Sequence, residues 1–312
     1  DLVYLDPPFA TKNVFRKGKD RTATISSSID DEIVYIDDKV GDEYIEFLKE
    51  RVILLRELLS DSGSLYLHID YKIGHYVKIM LDEIFNAKNF RNDITRIKCN
   101  PKNFKRKGYG NIKDLILFYT KADKFIWHEP LVKREEFEIS KLFNKIDKKG
   151  KRYTTNPLHA PGETKNGPTG QIWKDMSPPK GRHWRYDPKV LEELDKQGLI
   201  EWSPNGIPRK IIYADDYELK RMQDIWEFKD SPNPDYPTQK NLEMLEFIIK
   251  TSSNPDSIVL DCFCGSGTTM VGANILGRHW IGIDDSMQAI KVSKSRLYNG
   301  GLFSKFKFIE MM

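Results

Sequence analysis

Cysteine is scarce: Cys99, Cys262 and Cys264 are the whole complement of a 312-residue chain. Three cysteines build no disulfide framework, and a reducing cytoplasm is the expected compartment. Cys262 and Cys264 sit one residue apart with no other cysteine to complete a ligand set, so no structural zinc and no other metal is expected. No window approaches the ~18 consecutive apolar residues of a membrane span, and no signal peptide is recognisable. A membrane partner is therefore not expected. An initiating methionine is missing as well. The chain opens as DLVYLDPPF, already inside a strand-like run, so residues are expected upstream. Nor is there much excess charge, because Lys and Arg exceed Asp and Glu by only four. A net charge that small does not by itself argue for a polyanionic partner.

What is present is an ordinary soluble composition, 39% hydrophobic and 31% charged, with its basic residues unevenly placed. KCNPKNFKRKGYG, residues 98–110, has five basic side chains and no acid. KKGKRY at 148–153 and KGRHWR at 180–185 repeat the pattern. Interleaved with Phe104, Tyr109, Tyr153 and Trp184, these runs fit a surface that tracks phosphates. Solvated loop charge is the plainer reading of any one of them.

The chain alternates strand and helix signals at both ends. Residues 2–5 read as a short buried strand and 16–40 as a mobile polar loop. A long helix is expected over 42–63, a strand over 64–70, a second helix over 74–85 and a strand over 114–120. From about 121 to 225 periodicity fades and Gly, Pro, Lys and Trp become common. Trp173 and Trp184 argue against a disordered linker there. Regular patterning returns with the helix NLEMLEFIIK, the strand SIVLD, the helix GTTMVGANILG and the strand HWIGID. The expected fold class is α/β, a Rossmann-like sheet with helices on both faces and a loop-rich insert. Its expected parts are 1–120 and 226–312 as halves of one core, and 121–225 as the insert.

In LDCFCGSGTT, Gly265 and Gly267 stand between a strand and a helix, where the backbone can turn tightly against a ligand at a helix N-terminus. Asp284 ends the next strand, 23 residues after Asp261, a spacing that suits acceptance from ribose hydroxyls. An adenosine-containing cofactor is implied. A dinucleotide fingerprint would want a third glycine where this chain has Met270, which disfavours a nicotinamide cofactor.

At the other end stands Asp6-Pro7-Pro8-Phe9. The prolines lock φ and remove two donors, leaving the Asp6 carboxylate and the Pro7 carbonyl as two rigid acceptors. Two acceptors suit a group with two N–H bonds, such as the exocyclic amine of a base, and Phe9 can stack on that base. A proline-stopped strand with a solvated acid is the purely structural alternative.

DPPF together with FCGSG resembles the amino-DNA methyltransferases that use S-adenosylmethionine, and the order of the two motifs resembles the β class. YPTQKN, residues 236–241, resembles the family's motif before the cofactor strand, with Asn241 where Pro is usual. GNIKDLILFYTK and MQDIWEF are similar to segments of type III-like modification subunits and orphan enzymes. The resemblance implies that Asp6 and Pro7 hold the amino group, with Pro8 stiffening the corner and Phe9 stacking on the extruded base. It places Phe263, Gly265, Gly267 and Asp284 around S-adenosylmethionine, and Asp261, Thr238 and Lys240 near its methionine end. Within the insert and the first basic run, Lys105, Arg106, Lys107, Arg182 and Arg185 are the expected DNA contacts. Some members of the family dimerise and others act with a restriction subunit, so both partners stay open beside double-stranded DNA.

Adenine N6 is the expected target, since cytosine-N4 enzymes more often carry Ser at the position of Asp6. Cytosine-C5 chemistry is excluded by the lack of any Pro-Cys pair. Nothing resembles a familiar RNA module. A silent DNA-binding subunit is the alternative outside enzymes, which the intact acceptor and cofactor motifs oppose. His68 and the tryptophans read as structural residues.

Overall fold

The computed structural model describes residues 1–9, 14–17, 32–36, 39–101, 105, 107–231, 239–299 and 306–310. The chain divides into two compact units, Asp1–Pro130 with Gln223–Met312, and Leu131–Met222.

The first unit is built on a seven-stranded sheet. Its strands are β1 (Leu2–Leu5), β2 (Ser64–Ile69), β3 (Phe90–Ile97), β4 (Lys113–Thr120), β5 (Ile225–Trp226), β6 (Ile258–Asp261) and β7 (His279–Gly282), in the order β5-β3-β4-β2-β1-β6-β7. β4 runs antiparallel to both neighbours, β2 and β3, and the other pairings are parallel. β1 is buried along its whole length, as its unbroken apolar character requires, and β2 is buried too, with Ser64 and His68 enclosed among its apolar residues. Helices α1 (Gly41–Leu58) and α2 (Gly74–Phe85) put Leu48, Val52, Val77 and Leu81 against Val3, Leu5 and Leu67 on one face. On the other face lies α3 (Leu242–Ser252), where Tyr66 Oη and Ser252 Oγ are 2.8 Å apart. α4 (Thr268–Ile275) packs against α3, and α5 (Met287–Asn299) follows β7.

Right-handed crossovers explain the two layers. The chain steps from β1 to β2 through α1, and from β6 to β7 through α4 in the opposite direction, so the helices fall on opposite faces. β1 and β6 are hydrogen-bonded neighbours, with Val3 in register with Leu260. The strand order reverses between them, and their carboxyl ends flank the crevice where ligands bind open sheets of this kind.

The stretch 16–40, expected as a mobile loop, is corrected in part. Val14–Lys17 and Glu32–Ile36 pair as antiparallel strands, and the residues between them lie outside the described set. VFRK and EIVYI are short runs of β-formers whose polar flanks hid them. The second unit combines short strands with irregular connections. Its largest element is a four-stranded antiparallel sheet containing Arg152–Pro157 and Pro208–Tyr213. Trp173 and Trp184 are buried in its core with Leu158 and Leu191, and Trp202 stacks on Trp173 at 5.7 Å.

Candidate active site

β1 carries Leu2–Leu5 through the core and delivers Asp6 at its carboxyl end. The proline pair follows, with Pro7 buried and Pro8 and Phe9 half-buried. Oδ2 of Asp6 receives the Lys240 ammonium at 2.5 Å. Oδ1 is buried and has no hydrogen-bond partner among the described residues. Such a lone acceptor is costly unless something outside the fold satisfies it. The Phe9 ring lies 5.9 Å from the His68 ring, tilted by 50°, and the Lys240 ammonium sits 5.3 Å from its centroid.

One strand over, β6 ends at Asp261, which is fully enclosed. Its Oδ1 accepts from the Phe263 N–H at 3.0 Å and its Oδ2 from the Thr269 hydroxyl at 2.6 Å. Burial pushes the carboxyl up to about 7, against the pull of those two donors and with some help from the Asp6 and Asp284 charges. The backbone then turns through left-handed glycines, Gly265 at φ 49° and Gly267 at φ 77°, into α4. Asp284, just beyond β7, ties the two strand ends together. It accepts from the Gly265 N–H at 2.8 Å and the Ser286 N–H at 2.9 Å, and burial raises its pKa against both bonds. A carboxylate has about four lone-pair sites, so acceptor capacity is left over for hydroxyl groups. Phe263 packs beside Phe47, with centroids 6.1 Å apart.

The fold thus brings Asp6, Pro7, Pro8, Phe9 and Lys240 together at one strand end, and Asp261, Phe263, Gly265, Gly267 and Asp284 at the neighbouring one. Lys240, expected at a methionine end, is placed on Asp6. Thr238 and Arg106 lie outside the described residues. Lys105 and Lys107 are exposed in the loop before β4. In the second unit Arg182 and Arg185 are exposed, the first donating to His159 Nδ1 at 3.2 Å and the second to the Pro157 carbonyl at 3.1 Å.

Several residues at the site went unnoticed in the sequence. Ser293 and Arg296 of α5 brace the glycine turn: the hydroxyl donates to the Gly265 carbonyl at 2.7 Å and the guanidinium to the Ser266 carbonyl at 2.8 Å. Their spacing of three on one helix face was the available signal. His68, expected to be structural, lies beside Asp6 with its Nδ1 3.9 Å from Oδ1.

The DNA methylase family model matches residues 1–295. Type II methyltransferase M.EcaI of Enterobacter cloacae is 42% identical over 305 residues, covering 96% of this chain and 65% of its own length. The Mod subunit of the type III restriction-modification enzyme StyLTI of Salmonella typhimurium is 25% identical over 301 residues, 86% of this chain and 45% of that one. The chain therefore spans less than two thirds of either relative. Among solved structures, the cytosine-N4-specific PvuII DNA methyltransferase aligns with a TM-score of 0.51 at 13% identity, over 95% of this chain and 78% of that one, a likeness of fold alone. Motif order, the paired strand ends and the match across nearly the whole length agree, and the chain belongs to the N6/N4 DNA methylase family.

Proposed function

We propose that this chain transfers a methyl group from S-adenosylmethionine to the N6 amino group of adenine in duplex DNA. The observation that carries this reading is the buried Oδ1 of Asp6 beside the glycine corner, which has no hydrogen-bond partner among the described residues. An amino group offers the N–H that this oxygen lacks, and the Pro7 carbonyl is the second rigid acceptor. Lys240 fixes the carboxylate by holding Oδ2, and Phe9 offers a ring face for the base. A stacked base cannot reach this corner, so it must leave the duplex.

S-adenosylmethionine, when bound, supplies an electrophilic methyl group on a sulfonium. The residues present fit it. Asp284 has acceptor sites for ribose hydroxyls, Phe263 offers an apolar surface, and the buried Asp261 carboxyl suits a cationic ammonium that would restore its ionised form. The amine nitrogen is a poor nucleophile because its lone pair is delocalised into the ring. Acceptors on its hydrogens favour a pyramidal nitrogen and stabilise the positive charge that develops on it, and holding it in line supplies much of the remaining rate. Asp6 is also positioned to take the proton the methylated nitrogen sheds. The names of the relatives point to restriction–modification, where a second copy of the chain or a restriction subunit are the partners to seek.

The test uses methyl-labelled S-adenosylmethionine, mixed-sequence duplex DNA and digestion to nucleosides. Label is expected in N6-methyladenine, with a loss of at least about a hundredfold in Asp6→Ala. Label in N4-methylcytosine would keep the mechanism and change the base. Cofactor binding without label in any base would refute the reading.

A further inference from the structure

His68 is fully buried in β2, next to Asp6, and the proposed reaction gives it no task. Its surroundings dictate where its proton sits. Across the β2–β4 ladder, Asp114 Oδ2 lies 3.3 Å from Nε2. Burial raises the Asp114 pKa, but the hydrogen bond to His68 and the Lys98 ammonium at 2.6 Å outweigh it and hold the carboxyl well below its ordinary range. Arg96, opposite Asp114 in the β3–β4 ladder, adds a guanidinium at 3.8 Å. An ionised carboxylate can only accept, so Nε2 must carry the hydrogen. Burial keeps the ring neutral by lowering its pKa. Nδ1 is then a lone pair, and the Tyr4 hydroxyl donates to it at 2.9 Å.

Moving that proton to Nδ1 would change the neighbourhood of Asp6. A donor on Nδ1 would face the Tyr4 oxygen and, 3.9 Å away, Asp6 Oδ1. A shift of about 1 Å would let it cap the oxygen. We propose that His68 is a positioning residue for Asp6: Asp114 and Tyr4 lock the ring with its proton on Nε2, and this tautomer leaves Asp6 Oδ1 free for the amino group of the target. The inference rests on the proposed amino-group transfer and adds a control on its acceptor.

Acid acts in the same way as the wrong tautomer. Among the described residues, the charged and titratable groups around the ring are Tyr4 from β1, Asp6 just beyond it, Asp114 from β4 with Arg96 and Lys98 of β3 and its end beside that carboxylate, and Lys240 ahead of α3. Protonation gives the ring a donor on both nitrogens, so kcat is expected to fall as pH drops through the ring's pKa. Burial, the largest influence on that pKa, sets the fall below the ordinary histidine range.

The decisive variant is Asp114→Asn, whose amide can donate to Nε2 and push the proton to Nδ1. Its kcat is expected to drop about 10- to 100-fold, the scale of a mispositioned reacting group, with cofactor affinity unchanged. Nitrogen-15 NMR of histidine-labelled protein reads the tautomer directly, His68 being assigned by its loss in His68→Gln. The expected result is Nε2–H in the wild type and Nδ1–H in the variant. Nδ1–H in the wild type, or a switched tautomer with unchanged kcat, overturns the proposal. If Asp114→Asn does not fold, the wild-type spectrum alone decides. A wild type that labels no base refutes the methyl-transfer reading and this role with it. Label transfer with the wrong tautomer refutes only the role of His68.

Discussion

Asp114 and Asp261 are both buried acids at the heart of one sheet, and burial raises both, yet their partners send their pKa values to opposite sides of the ordinary carboxyl range. Asp114 accepts from His68 and has the Lys98 ammonium beside it, and its pKa falls in spite of burial. Among the described residues Asp261 has only neutral donors, the Thr269 hydroxyl and the Phe263 N–H, and burial raises its pKa to about 7. The two therefore make opposite contributions to stability. Asp114 stabilises the folded state above the unfolded pKa of a carboxyl, and that contribution disappears as pH falls through its depressed folded value. Asp261 holds its proton in the folded state while the unfolded chain has lost it, so stability declines as pH rises from about 4 to about 7 and then levels off. The decline is on the order of a few kcal/mol. Asp261→Asn removes the titration, keeps an acceptor for the Phe263 N–H, and lets the Thr269 hydroxyl accept from the new amide instead of donating. Urea unfolding at several pH values between 4 and 8 is expected to show the variant gaining on the wild type as pH rises. Parallel profiles would mean that Asp261 is ionised in the folded protein throughout.

Packing of α4 against the sheet shows how an element can be legible while its logic is not. In a three-glycine corner the third glycine lets the helix approach the strand. Here that helix position is Met270, which is buried, and the small residue has moved to the strand as Gly282. A Cβ on Gly282 would lie 2.1 Å from Met270 Sδ, and one on Gly267 would meet Met270 Cε at 2.9 Å. Gly282→Ala is expected to cost about 1–3 kcal/mol through overpacking. Combined with Met270→Ala, it should cost less than the sum of the two single changes, because the added methyl then fills space the methionine left. Thermal unfolding of the four proteins measures the coupling, and simple additivity would show that the two residues do not share that space. The helix, the glycine turn and the neighbouring strands were readable because their signals are local, as were Asp6-Pro7-Pro8-Phe9 and Asp284. β3 was not, since FRNDITRI carries Arg96 and Asp93, and charges read as surface. Only the β3–β4 register shows that Arg96 is paired with Asp114 inside the sheet. Ser293 and Arg296 escaped for the same reason: each acts on a partner brought near by the fold, not by the sequence.

For the molecule as a whole, a net charge of only +4 leaves the proposed DNA affinity to the placement of charge. In the second unit the pKa of His159 is lowered first by burial and then by three nearby guanidinium groups, Arg182, Arg185 and Arg209. Arg185 donates to the Pro157 carbonyl, Arg209 to the Thr155 carbonyl and hydroxyl, and Arg182 to His159 itself. Among the described residues none of the three forms an ion pair with a carboxylate. A cluster braced by neutral acceptors leaves its charge available, and phosphates are the counterions that the proposed action on DNA would supply. Arg209 also holds its own strand, so the informative variant is Arg182→Gln with Arg185→Gln. For every phosphate that is no longer neutralised, the slope of log K against log salt should become shallower by about 0.9. Affinity is therefore expected to fall most at low salt and to converge with the wild type as salt rises. The preferred target sequence should not change, since arginines bound to phosphates position the protein without reading bases. Binding isotherms at several salt concentrations, on target and non-target duplexes, separate the outcomes. An unchanged slope would place the phosphate-binding groups elsewhere on the chain, whereas a changed target preference would make these arginines readers of bases.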